Sequence, residues 1–232
     1  LHFLFDLKQF PPATLMHLCI GTSFAVMVPT TLRAVFSHRD SLGTAVPLFK
    51  RMSVGIVLGA FLGTILAHFL HSFWLRILFS CLLILISISL FFRDAIVVER
   101  PVGRVSFSVV SFLIGFFSSL LGIGGSAFVI PFLLSIKVDL RVSIVVAVLV
   151  GLVISTLCTV GYIIMGLHAK GLPVHAIGYV YWPAMLALAA MTTAFAPLGA
   201  YFSSQVSRTT LRRFFSIMLM VIAAHSLIDS LT

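Results

Sequence analysis

Long hydrophobic segments separated by short polar connections run through almost the whole chain. A membrane-spanning helix needs about 20 predominantly apolar residues, so segments of this length predict spanning helices rather than strands. Seven segments have this character, and the fourth is interrupted: 14–36, 52–70, 73–92, the arms 105–121 and 126–136, 142–167, 177–202 and 211–227. The pattern predicts an all-α polytopic membrane protein.

The interruption in the fourth segment is rich in glycine and is followed by Pro131. Glycine tolerates positive φ, so the stretch from Gly122 to Ser126 predicts that one half-helix ends and another begins there. Backbone broken at membrane depth must face protein or a water-filled cavity. The new half-helix would present free main-chain N–H groups at the positive end of its dipole, which favours an anion. These N–H groups belong to Gly124, Gly125, Ser126 and Ala127.

Hydroxyl groups near the break are further candidate ligands, because a helix dipole contributes only about 0.3–2 kcal/mol. Three lie on the interrupted segment, and two lie on the first segment if it packs beside the break. They are Ser118, Ser119, Ser126, Thr22 and Ser23. For each of them the alternative is a hydroxyl that only satisfies nearby backbone.

Titratable groups within the predicted spans are few. All six acidic residues lie in loops or at helix ends, so the carboxylate relay usual in proton-coupled transporters is absent from the spans. His17 is the best-placed remaining group and the candidate for proton coupling. The alternative is a core histidine with satisfied hydrogen bonds.

Composition excludes a soluble protein. Charged residues make up 9% of the chain and hydrophobic residues 60%, whereas soluble domains average about 25% and 45–50%. We therefore expect one transmembrane domain over residues 1–232 and no separate soluble domain. The net charge of +9 lies between the hydrophobic segments, as in cytoplasmic loops, so no nucleic-acid partner is expected. The three cysteines have no ligand spacing, and no metal or organic cofactor is expected.

The basic residues indicate how the interrupted segment is placed. If it crosses the membrane, the fifteen Lys and Arg residues divide almost equally between the two sides. If it enters and returns as a hairpin, only Lys8, Arg76 and Lys170 lie outside. Cytoplasmic loops collect Lys and Arg, so the hairpin is preferred.

An internal repeat supports this topology. A shift of 136 positions superimposes, among others, Pro47 on Pro183, Gly63 on Gly199 and Leu75-Arg76 on Leu211-Arg212. The hairpin puts Arg76 and Arg212 on opposite sides, so the copies are inverted, a recurrent transporter plan with binding at the midplane. Each repeat would be a glycine-broken hairpin plus three spans. Repeat 1 covers about 1–93 and lacks its first hairpin, which we expect to be missing from this chain, and repeat 2 covers about 105–230.

The glycine-rich stretch resembles the signature of the sulfite exporter TauE/SafE family of membrane transporters. The family pattern, approximately G-x-x-S-x-x-x-G-x-G-G-G followed by a proline, is matched by Gly115, Ser118, Gly122, Gly124, Gly125 and Pro131. Ser126 stands where the family has its third consecutive glycine. The resemblance covers nearly the whole chain.

Weaker elements of the family pattern are present elsewhere. They are Gly21-Thr22-Ser23, Ser37-His38-Arg39, and the stripe Gly55, Gly59, Gly63 followed by Leu75-Arg76. The second copy lacks the Thr-Ser pair and has Ala147 to Gly151 in its place. The resemblance implies transport of sulfite, organosulfonates or related small anions across a bacterial inner membrane by alternating access. The partners it implies are the anion and the lipid bilayer, and it leaves the oligomeric state open.

Two other function classes remain at this point. Gly124-Gly125-Ser126-Ala127 loosely matches the Gly-x-Ser of intramembrane serine proteases, with His225 as the base. A membrane assembly or scaffold protein would also fit the hydrophobic pattern. The interpretation we adopt is a transporter without enzymatic activity.

Overall fold

The fold is an almost entirely helical bundle in the computed structural model, which describes residues 12–92, 104–169, 172–205 and 208–231. The described helices are α1 (Pro12–Ser37), α2 (Leu42–Phe69), α3 (Ser72–Phe92), α4 (Arg104–Leu121), α5 (Ser126–Ser135), α6 (Leu140–Gly166), α7 (Trp182–Gln205) and α8 (Arg208–Leu231). A 3-10 turn (Arg39–Ser41) precedes α2, and an antiparallel hairpin of two short strands, β1 (Ala176–Ile177) and β2 (Val180–Tyr181), precedes α7. The prediction of an all-α membrane protein is confirmed.

Helix bounds agree with the predicted segments to within a few residues, with two exceptions. The second segment begins at Leu42 instead of residue 52. Its first turns carry Lys50 and Arg51, whose long side chains keep their charges at the surface while the backbone remains helical. The helix predicted from residue 177 is wrong over its first five residues. Gly178 has φ of +56° and turns the chain into the hairpin, and Pro183 marks the first turn of α7.

Three described helices are long and apolar enough to cross a membrane by themselves: Thr14–Ser37 within α1, Leu42–Phe69 (α2) and Leu140–Gly166 (α6). The other described helices contain shorter apolar stretches, such as Ser72–Ile88 and Trp182–Phe195. The protein is therefore a multi-pass membrane protein. The charged loop predicted at 93–104 lies, except for its last residue, outside the described residues.

Helices α4 and α5 form a hairpin. The Phe107 ring near the start of α4 lies 5.5 Å from the Phe132 ring near the end of α5, so α5 runs back along α4. Arg51 of α2 stacks on the same Phe107 ring at 4.9 Å. The interrupted segment thus starts and ends at one end of the bundle.

That end, which we call the basic end, contains the α1–α2 and α5–α6 connections, the end of α7 and the start of α8. The residues located there include Arg39, Lys50, Arg51, Lys137, Arg141 and Arg208. The opposite end, the strap end, contains the α2–α3 connection and the β1–β2 hairpin. Arg76 is the basic residue of the described helices near this end. The charge distribution is the one expected for the hairpin alternative.

Glycines bring α2 and α4 into close contact. A methyl group on Gly59 would collide with the Phe112 carbonyl, and one on Gly63 would collide with the Ser119 hydroxyl. Membrane helices use such small residues for close approach. This packing holds α4, and with it the position of the break, against α2.

Candidate functional site

The break between α4 and α5 is built by three glycines in left-handed conformation. Gly122, Gly124 and Gly125 have φ of +69°, +68° and +81°. Other residues rarely adopt this region, at a cost of about 1–2 kcal/mol each. Helix α4 ends at Leu121 and α5 begins at Ser126, so the predicted break is confirmed.

The break lies between α1 and α6, near the middle of both helices. The α-carbon region of Gly122 faces Ile20 and Ser23 of α1, and that of Gly124 faces Met27. A Cβ on Gly125 would lie 2.9 Å from Ile154 Cδ1 of α6. The break is therefore at mid-depth in the bundle and enclosed by apolar side chains.

The N-terminus of α5 presents main-chain N–H groups at the break. The first N–H groups there with an acceptor are those of Phe128 and Val129, which donate to the Gly125 carbonyl at 3.1 and 3.0 Å. Four N–H groups precede these two, those of Gly124, Gly125, Ser126 and Ala127. In the described part of the chain, none of the four donates to a carbonyl of another segment. A helix of ten residues places the positive end of its dipole behind them.

The Ser118 hydroxyl lies close to this N-terminus. Its side chain is fully buried, and its Oγ has no hydrogen-bond partner among the described residues. The Oγ lies 3.4 Å from the position of a Cβ on Gly125, so it faces the cap of α5. A buried hydroxyl without a partner costs about 1–3 kcal/mol. The site therefore combines free N–H groups with one unpaired hydroxyl.

The other predicted hydroxyls have different surroundings. The Ser119 hydroxyl donates to the Phe116 carbonyl of its own helix at 2.8 Å, and Thr22 Oγ1 accepts the Tyr181 N–H at 3.1 Å. Ser23 is partly buried beside Gly122, with its Cβ 3.8 Å from the position of a Cβ there. Ser126 is exposed at the start of α5. The structure brings Ser118, Ser23 and the glycines together, and the roles of all these residues in binding stay predictions.

His17 lies toward the strap end, away from the glycines. Its Nε2 is 2.8 Å from the Ala67 carbonyl, which can only accept, so Nε2 carries the proton in this arrangement. Its Nδ1 is 3.4 Å from the Ser72 hydroxyl, and the ring packs 5.0 Å from Tyr179. Both nitrogens thus have partners, as in the core-histidine alternative. Proton coupling by His17 stays a prediction.

Tyr162 and the β-hairpin are features that the sequence interpretation missed. The Tyr162 hydroxyl donates to the Ser119 carbonyl at 3.3 Å, next to the break, and its own carbonyl accepts the Tyr179 N–H at 3.1 Å. Burial raises the pKa of Tyr179, so its phenol stays neutral at neutral pH. The signal for the hairpin was Gly178 followed by three strand-forming residues before Trp182-Pro183.

No group of three or more His, Cys, Asp or Glu residues suited to a metal ion occurs in the described ranges. The donors that the structure places at the break are main-chain N–H groups and the Ser118 hydroxyl.

A bundle of membrane-length helices around a glycine-broken hairpin at mid-depth is the architecture of a multi-pass membrane transporter. The chain belongs to the sulfite exporter TauE/SafE family, whose sequence model matches residues 2–226. It is 26% identical over 225 residues to a protein of Haemophilus influenzae described as a probable membrane transporter protein. That match covers 96% of this chain and 85% of the relative. No solved structure matches the chain.

The family is one of membrane transporters, so this protein is a membrane transporter and not an enzyme. The protease alternative based on Ser126 and His225 is thereby excluded. The scaffold alternative has no support from the family or from the relative.

Proposed function

We propose that the protein transports a small sulfur-containing anion, such as sulfite or an organosulfonate, by alternating access across a bacterial inner membrane. The observation that carries this proposal is the pairing of a buried, unpartnered Ser118 hydroxyl with the free N–H groups at the start of α5. Both supply donors to the same mid-depth point, and a sulfur oxyanion accepts several hydrogen bonds through its oxygens.

The apolar side chains around the break favour an anion that can be bound without its hydration shell. Ile154 and Val150 of α6 and Met27 of α1 surround the glycines with apolar atoms. Charge-assisted hydrogen bonds strengthen in such a low-dielectric setting. In the described part of the chain, Asp40 and Asp139 lie in connections and Asp229 lies in the last turn of α8, so no acidic residue is near the middle of a helix to repel an anion at the break. The family name, sulfite exporter, supports sulfur oxyanions over other anions of similar size.

The proposal includes an inverted repeat. Such a repeat would allow the site to open alternately to the two ends of the bundle. Ser87 of α3 and Ser216 of α8 each donate to the carbonyl of the other, at 2.8 and 2.7 Å. Under the 136-position shift, Ser80 corresponds to Ser216 and Ser87 to Ala223. In this proposal α3 and α8 are repeat copies, and their packing on each other is what a pseudo-twofold axis between the copies would produce. This supports inverted repeats with three spans each.

The orientation of the protein in the membrane follows from the distribution of its Lys and Arg residues. The basic end collects most of the Lys and Arg residues, and the positive-inside rule puts that end in the cytoplasm. The strap end then faces the outside. The bacterial source of the similar transporter supports an inner-membrane location.

Anion binding by the purified protein tests the site directly. A ligand that binds the folded state raises its apparent stability according to its concentration. We expect sulfite or a short alkanesulfonate to raise the melting temperature in detergent, and chloride to have no such effect at equal ionic strength. Ser118→Ala removes one donor, worth about 1.5–3 kcal/mol to a charged ligand, and should weaken binding by at least tenfold.

Ser111→Ala is the matched control for this variant. Ser111 is also fully buried on α4, but its hydroxyl donates to the Phe107 carbonyl at 2.8 Å. We expect the Ser111→Ala protein to bind the anion with the same affinity as the wild type. Equal effects of the two substitutions on binding would contradict a site at Ser118, and stabilisation by none of the sulfur anions would contradict the substrate class.

A further inference from the structure

The turn and the second strand of the β1–β2 hairpin are buried in the helix bundle at the strap end, whereas Ile177 of the first strand is exposed. We call residues 176–181 the strap. The residues Gly178, Tyr179, Val180 and Tyr181 are all buried, although they belong to a connection between two helices. Connections between helices usually run over the surface. The burial of this connection inside the bundle therefore requires an explanation.

Glycines on the neighbouring helices leave room for the backbone of the strap. Gly21 of α1 faces the Tyr179 carbonyl, and Gly166 of α6 faces the backbone of Gly178 and Tyr179. A methyl group at either glycine would collide with that backbone. The strap therefore lies wedged between α1 and α6, the two helices that also enclose the break.

Two main-chain N–H groups of the strap donate hydrogen bonds to the neighbouring helices. The Tyr179 N–H donates to the Tyr162 carbonyl at 3.1 Å, and the Tyr181 N–H donates to Thr22 Oγ1 at 3.1 Å. Tyr179 also packs against the rings of His17 at 5.0 Å and His68 at 6.3 Å, and Tyr181 packs in an apolar cluster with Leu15, Leu18 and Cys19. Such an attachment can be released without breaking a long ladder of hydrogen bonds.

One layer of residues separates the strap from the break. Tyr162 contacts Tyr179 through its ring and carbonyl and donates its hydroxyl to Ser119, three residues before Gly122. Gly21, which faces the strap, is adjacent in sequence to Ile20, which faces Gly122. The strap thus covers the break on the side of the strap end.

From this placement we propose that the strap is the outer gate of the transporter. It blocks the path between the break and the outside, and Thr22 is the latch that holds it closed. The proposal rests on the proposed function, because the strap gates transport only if the anion binds at the break. It assigns Thr22 to the gate instead of to the anion.

Access of an external reagent to the break tests the gate without requiring transport. Ser118→Cys in a background without the native cysteines provides a thiol at the break, and a membrane-impermeant maleimide is applied to the strap side. We expect slow labelling with Thr22 intact. Adding Thr22→Val, which keeps the shape but leaves the Tyr181 N–H without its acceptor, should raise the labelling rate at least tenfold.

Two controls separate the latch from general loosening. Thr22→Ser retains the hydroxyl and should restore slow labelling. Tyr162→Phe removes the hydroxyl that contacts Ser119 but keeps the ring and the carbonyl that hold the strap, so labelling should stay slow. Equal labelling of the Thr22→Val and Thr22→Ser proteins would overturn the proposal, whatever the anion assays show.

Hydrogen exchange on the unmodified protein keeps the proposal testable if Thr22→Val does not fold. A gate that opens must expose its amides more often than the helices around it. We expect the Tyr179 and Tyr181 amides to exchange at least tenfold faster than those between Val150 and Ile154 in α6. Exchange as slow as in α6 would show that the strap is a fixed part of the bundle and would overturn the gate.

Discussion

At the scale of single residues, the candidate site depends on two atoms that face each other. The Ser118 hydroxyl is buried without a partner, and the Gly125 α-carbon, with φ of +81°, faces it from the cap of α5. A side chain on Gly125 would fill the space between them. The glycine therefore serves both the backbone turn and the opening toward the hydroxyl.

Gly125→Ala should destabilise the protein. The positive φ costs a non-glycine residue about 1–2 kcal/mol, and the added methyl would lie 2.9 Å from Ile154 Cδ1 and 3.3 Å from Val150 Cγ1. We expect the free energy of unfolding to fall by about 1–3 kcal/mol, measured by denaturant titration in mixed micelles.

Gly43→Ala is the matched control. Gly43 lies in the first turn of α2, and nothing lies within 4 Å of the position of its Cβ. Alanine is the better helix former by up to about 1 kcal/mol, so stability should stay the same or rise. A loss at Gly43 as large as that at Gly125 would contradict the role of the turn.

The sequence was sufficient to locate the break between the two half-helices. It was not sufficient to identify the hydrogen-bond partner of each hydroxyl. Glycines interrupting a hydrophobic segment have a local backbone cause, which is visible in the chain itself. The hydrogen bonds of Thr22 and Ser119 depend on Tyr181 and Phe116. For Thr22 the partner is 159 positions away, so no local pattern could indicate it.

At the scale of elements, the proposed repeat copies α3 and α8 pack on each other. Ser87 and Ser216 exchange hydrogen bonds between hydroxyls and carbonyls across this pair. Since the two helices run in opposite directions, Ser80 and Ala223 should face each other seven residues, or two turns, away. Both are fully buried, and Ser80 Oγ has no hydrogen-bond partner in the described part of the chain.

Ala223→Ser should therefore give the Ser80 hydroxyl a hydrogen-bond partner. Hydrogen bonds between membrane helices contribute about 0.6 kcal/mol on average, and at most about 1.7. We expect a gain of this order in the free energy of unfolding, which should disappear when Ser80→Ala is also present. A loss of stability that is independent of Ser80 would contradict the predicted register.

The helices themselves were predictable because membrane-length hydrophobic segments have few alternatives. The strap was not. Residues 177–181 are as apolar as the helix that follows, and only Gly178 and Pro183 indicate the turn. The burial of the hairpin depends on Gly21 and Gly166, which belong to helices distant in the sequence.

At the scale of the whole molecule, the arrangement is a bundle whose basic end is charged and whose other end is covered by the strap. The distribution of Lys and Arg was enough to predict that the interrupted segment returns to its starting side, because the alternative divides these residues almost equally between the two sides. The contact between Phe107 and Phe132 agrees with that prediction. The internal shift of 136 positions led to the proposed inverted repeat.

Transport of an anion through the break is the central claim, and flux into proteoliposomes tests it most directly. Sulfite and a short alkanesulfonate would be measured with the wild type, Gly125→Leu and, as the control for an added leucine, Gly43→Leu. We predict saturable flux with the wild type and Gly43→Leu, and none with Gly125→Leu although that protein remains folded by size-exclusion chromatography. Saturable flux that persists in Gly125→Leu would contradict the account.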